Sequence, residues 1–145
     1  MPENKIRKKE PYLYAGQVTL AANSNGQIIF QVASNFNYWM TRFSYKSYVV
    51  NSANAITTFD IQILKNEHAI MYDYMPNELF AGMMTEQSTA PDTRYQTGMA
   101  NWFKFDKPYM FEAKSNIIIN LRETAGIANS IVRIGLSGYK DIYFF

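Results

Sequence analysis

At 145 residues, with 48% hydrophobic and 18% charged residues and a net charge of +2, the chain has the size of one domain and too few charges to coat a fully solvated surface. That balance predicts a surface partly covered by neighbours, as in an oligomer or an assembly subunit. Cysteine is absent, which excludes disulfides, thiolate nucleophiles and Cys-ligated zinc.

Charge is concentrated at the start. Lys5, Arg7, Lys8 and Lys9 against Glu3 and Glu10 leave residues 1–10 at +2, and the remaining basic and acidic residues cancel. The segment has no apolar core of signal-peptide length, and nowhere do about eighteen apolar residues run together, so a soluble chain made without a secretion signal is expected. Residues 1–11 read as an extended basic arm ahead of a single domain at 12–145. Lys5, Arg7, Lys8 and Lys9 are its candidate contacts to a partner. Nucleic acid is not the expected partner, because four basic residues without a folded basic face give only a weak phosphate-binding signal.

Beyond the arm, "LYAGQVTLAA" alternates with Val18 and Leu20 on one face, and "GQIIFQVA" follows across the Asn23 to Gly26 cluster. Asn and Gly tolerate positive φ, so the two segments are expected to pair as a hairpin with a longer loop. "WMTRFSYKSYVV" predicts a strand with Trp39, Thr41, Phe43 and Tyr45 on one side and Met40, Arg42, Ser44 and Lys46 on the other. "TFDIQIL" predicts another with Phe59, Ile61 and Ile63 inward and Asp60 and Gln62 outward, and "HAIMYDYM" a further alternating set. One short helical turn is expected at "PNELFAGMM", capped by Asn77 and ended by Gly82.

From Thr85 to Gly98, "TEQSTAPDTRYQTG" is the longest stretch without apolar periodicity and reads as an exposed loop. Thr85, Arg94 and Tyr95 are its candidate partner contacts. "NIIINLRE" and "SIVRIGLSGY" then alternate again, joined by "TAGIANS", where Gly126 and Asn129 suit a turn between antiparallel neighbours. About eight short strands with hardly any helix indicate an all-β, antiparallel sandwich, jelly-roll-like or immunoglobulin-like, with the N-terminal arm extended from it.

Residues for chemistry are sparse. His68 is the single histidine and has no nucleophile elbow to serve, so a surface or capping role is expected. Asp60 and Asp73 fall on successive predicted strands, where outward, solvated positions account for them better than an acid–base pair. No phosphate loop, dinucleotide fingerprint or metal-ligand cluster occurs, and no cofactor is expected. The eleven tyrosines and two tryptophans are expected to divide between core and interface.

The stretch "FDKPYMFEAKSNIIINLRETAGIANSIVRIGLSGYK", about a quarter of the chain, resembles the C-terminal half of small jelly-roll-like structural proteins of tailed-bacteriophage virions. A Pro-aromatic segment leads into an apolar strand. The pattern N-L-x-x-x-x-G-x-A-N follows at Asn120 to Asn129, and a last strand carries L-x-G-Y at Leu136 to Tyr139. The resemblance implies a non-enzymatic virion component: a capsid auxiliary or decoration (minor capsid) protein, with a neck or tail adaptor as the alternative. Its partners would be the major capsid or neck and tail proteins and further copies of itself, with no membrane involved. A carbohydrate-binding sandwich and a small hydrolase are the rival readings from other classes.

Overall fold

The computed structural model describes residues 6–49, 58–66, 68–69, 74–76, 83–88, 94–99, 102–126 and 129–144, with the backbone alone at residues 6, 7, 68, 69, 75, 83–88, 94–99, 143 and 144. Among them are eleven strand segments and no helix. They are β1 (Ile6–Leu20), β2 (Asn25–Gln31), β3 (Phe36–Val49), β4 (Phe59–Lys65), β5 (His68–Ala69), β6 (Met75–Pro76), β7 (Met83–Ser88), β8 (Arg94–Met99), β9 (Phe103–Phe111), β10 (Asn116–Glu123) and β11 (Ser130–Phe144).

Two antiparallel sheets result. The first runs β1-β11-β3-β8-β7, with β9 sharing the far edge of β3 alongside β8, and the second runs β2-β10-β4, with β5 and β6 sharing the far edge of β4. The inward faces meet in one core that includes Leu20, Tyr38 and Leu136 from the first sheet and Ile61, Ile119 and Leu121 from the second, all fully buried. Each such leucine or isoleucine contributes about 1.5–3 kcal/mol through burial. Tyr38 keeps its hydroxyl satisfied there by donating to the Leu136 carbonyl at 2.9 Å. The arrangement is sandwich-like.

The alternation expected in "TFDIQIL" and "NIIINLRE" holds: Phe59, Ile61, Ile63, Ile117, Ile119 and Leu121 are all fully buried. Pairing differs from expectation. β1 pairs with β11 and β2 with β10, so the hairpin predicted between residues 13–22 and 26–33 is a corner between sheets. Ser24 closes that corner by bonding the Ala21 carbonyl through its amide and hydroxyl. β10 and β11 likewise belong to different sheets, although the connection uses the expected turn residues, with positive φ of 73° at Gly126 and 59° at Asn129. At these two connections the chain changes sheets, so the strands on either side of each corner bury their apolar faces in the shared core from opposite sides.

A second difference lies in β3. Its ladder with β11 passes from Arg42↔Ser137 to Met40↔Gly138, leaving Thr41 as an extra residue whose hydroxyl donates to the Ser137 carbonyl at 3.2 Å. The bulge shifts the alternation, so Tyr38 and Met40 share the core face with Phe43 and Tyr45, and Trp39 faces outward.

The N-terminal segment expected as an arm is ladder. Arg7, Lys8, Lys9, Glu10 and Pro11 lie opposite Tyr143, Ile142, Asp141, Lys140 and Tyr139, and the register continues unbroken to Leu20↔Ser130. The long final strand supplies the partner that the arm's own sequence does not advertise. The polar run from Thr85 to Gly98 is also strand where described, with β7 and β8 paired and β8 joined to β3 at Lys46 to Tyr48. An outer hairpin needs no apolar alternation, and backbone pairing with Thr, Gln and Tyr suffices. Asn77 and Gly82, expected in a helical turn, lie outside the described residues; Met83 and Met84, at the end of that predicted segment, are strand.

Candidate interaction surface

Three groups of side chains give the exterior its chemistry. The first surrounds the N-terminal half of β1. Glu10 lies directly opposite Lys140, with 3.6 Å between its carboxylate and Nζ, and accepts from Lys8 two residues away at 2.7 Å. The Lys8 hydrogen bond, aided by the Lys140 charge, holds the Glu10 carboxyl below its ordinary range. Lys140 in turn stands 4.9 Å from the Tyr12 ring centroid and 5.4 Å from that of Phe36. On the other face, Lys9 stands 5.2 Å from the Tyr139 ring, which stacks on Trp39 at 6.1 Å and 16°.

Of the expected contact residues, Lys8 and Lys9 are thus both engaged within the chain. Arg7 is described in backbone only, and Lys5 lies outside the described residues. Thr85, Arg94 and Tyr95 are placed by their backbones on the β7–β8 hairpin, opposite Thr97, Ser88 and Gln87. These two sets occupy opposite ends of the first sheet's strand order.

The second group continues the outer face of that sheet. Trp102, 40% exposed, lies over Gly135, where a β-carbon would come within 2.8 Å of its ring. Arg133 extends across β11 to donate to Gln17 at 3.1 Å and to the Tyr48 hydroxyl at 3.1 Å. Sequence reasoning placed neither contact, because the partners are 116 and 85 residues apart.

The third group covers the second sheet. Gln27 donates to Asn120 at 2.9 Å and Asn120 donates to Gln62 at 3.0 Å, an amide ladder across β2, β10 and β4. One register step away, Arg122 binds Asp60 at 2.7 Å and stands 4.2 Å from the Tyr74 ring. Asp60 is therefore held by a cation, and Asp73 lies outside the described residues. His68 pairs with Lys65 through the backbone. No cluster of three or more metal-ligating side chains is found among the described residues.

Glu123 has a structural role that the sequence did not reveal. It is 2% exposed and accepts from the backbone amides of Asn23 at 2.6 Å, Ala125 at 2.7 Å and Gly126 at 3.0 Å. Its own amide donates to the Ser24 carbonyl at 2.9 Å. One carboxylate thereby ties together the two corners through which the chain changes sheets. Compared with known proteins, the chain matches no family model and no curated sequence.

Proposed function

We propose that the chain is a non-enzymatic structural subunit of a bacteriophage virion, of the capsid auxiliary or decoration kind, built as a jelly roll. The observation that carries the reading is the strand order. β1-β11-β3 with β9 on one side and β2-β10-β4 with β5 and β6 on the other, the chain changing sheets at each step from β1 to β4 and again from β9 to β11, is the order a chain wound as two Greek keys would have, with the β7–β8 hairpin added beside β9 on β3. The virion motif resemblance in residues 105–140 spans β10 and the Ser130 to Lys140 part of β11, strands that each lie between two others of their sheet, which supports the same reading. The partners are other virion proteins, either major capsid or neck and tail components, together with further copies of the chain.

Tagged protein supplied during infection should co-purify with assembled particles at the stoichiometry of a repeated component. Recovery wholly in the soluble fraction overturns the reading. His68→Ala should enter particles as the parent does, whereas a large loss of function with the fold intact would favour the hydrolase class. The carbohydrate-binding alternative draws support from Trp102, Trp39 and Tyr139 on one outer face. Glycan-array binding lost in Trp102→Ala would favour it.

A further inference from the structure

We infer that the edge formed by β1 and β2 is a docking surface for a second copy of this chain, paired two-fold so that both sheets run continuously from one subunit into the other. Among the described residues β1 and β2 are the end strands of their sheets. They lie on the same side of the sandwich: a β-carbon on Gly16 would stand 3.0 Å from Ile28 and 3.1 Å from Phe30, and one on Gly26 would meet Leu20. End strands ordinarily carry lysines, prolines or bulges that discourage further pairing. Here those devices stop at Pro11. No charged residue occurs between Glu10 and Arg42, and neither the β1–β11 nor the β2–β10 ladder contains a register shift.

The apolar exposure falls in the same place. Of the four large hydrophobics exposed among the described residues, Tyr12 at 37%, Leu13 at 53% and Ile29 at 53% lie on these two strands. The amide ladder also ends there, on exposed Gln27.

A second copy is the occupant because both strands are self-complementary in one register. Gly16 and Ile28 stand level across the sandwich, so an axis through both, perpendicular to the sheets, pairs each strand antiparallel with its own copy. Leu13 then meets Thr19, Ala15 meets Gln17, Gln27 meets Ile29 and Asn25 meets Gln31. No like charges face each other, and Pro11, Lys8 and Lys9 fall beyond the paired stretch. An uncharged edge offers nothing to select a charged partner, whereas isologous pairing satisfies both copies at once.

Sedimentation equilibrium over a concentration series tests this on the full chain. The parent should be a dimer whose dissociation is insensitive to salt, since no exposed ion pair holds it. Leu13→Lys and Ile29→Lys should each weaken it about tenfold or more while keeping a cooperative melt, and Trp102→Lys should leave it unchanged. Because the chain has no cysteine, Ala15→Cys offers a second readout: a short bismaleimide should link two copies, and Asp106→Cys on β9 should not link. A monomeric parent, salt-sensitive association, or association lost in Trp102→Lys but kept in the edge variants each overturns the inference. The inference rests on the assembly reading only in expecting subunit contacts. A monomer that still enters particles defeats the dimer alone, and a dimer absent from particles defeats the virion reading alone.

Discussion

Gly138 has no room for a side chain because the backbone of Trp39 occupies the place: a β-carbon there would collide with the Trp39 carbonyl oxygen and come within 2.9 Å of its carbonyl carbon. The contact lies where the β3 bulge forces two strands together. Backbone cannot rotate aside as a side chain can. Gly138→Ala should therefore destabilise the protein by about 3 kcal/mol or more, read as a urea midpoint shift, or prevent folding. A shift below about 1 kcal/mol would show that the bulge sits elsewhere.

Glu123→Ala leaves three backbone amides without their acceptor at the two corners. The expected cost is about 3 kcal/mol, with faster hydrogen exchange at Asn23, Ala125 and Gly126. Unchanged exchange at those amides would contradict the role given to the carboxylate.

At Gly126, φ is +73°. Gly126→Val should cost about 1 kcal/mol or more through strain, while Gly126→Asn, which adopts that conformation more readily, should cost less. Equal stabilities by thermal melting would mean that the turn relaxes freely.

Removing residues 1–11 takes away the part of β1 paired with Tyr139 to Phe144. The shortened protein should still unfold cooperatively, since Leu20 and the rest of the core remain, but with a lower Tm and faster exchange at the C-terminal half of β11. A Tm equal to that of the parent would indicate an arm that contributes no strand.

Stability should fall at alkaline pH. Burial pushes the Tyr14 hydroxyl up to about 12 and raises that of Tyr38 further in the same direction, from an ordinary value of 10.0. The folded state then holds protons that the unfolded chain releases, so their contribution is complete below pH 10.0 and is lost as pH rises through the folded values. Tyr14→Phe with Tyr38→Phe should flatten the decline between pH 10.0 and about 12 in denaturation curves. An unchanged slope would assign the decline to other groups.

What the sequence determined by itself is which face of a strand goes inward. Ile61 and Ile63, and Ile117, Ile119 and Leu121, were legible because water rejects apolar side chains at every second residue whatever the neighbouring strand. Gly126 and Asn129 were legible as turn residues because positive φ is a local property. Ladder partners were decided only by the tertiary structure, since, Pro11 apart, the amides and carbonyls available to join β1 to β11 are alike from residue to residue and carry no address. That is why β10 and β11 looked like neighbours in one sheet, why the charged segment before Tyr12 looked like an arm, and why the polar run after Thr85 looked like a loop. The outward turn of Trp39 was hidden for a related reason. A single bulge residue, Thr41, reverses the phase of the strand, and it forms only where β11 lies alongside to receive it.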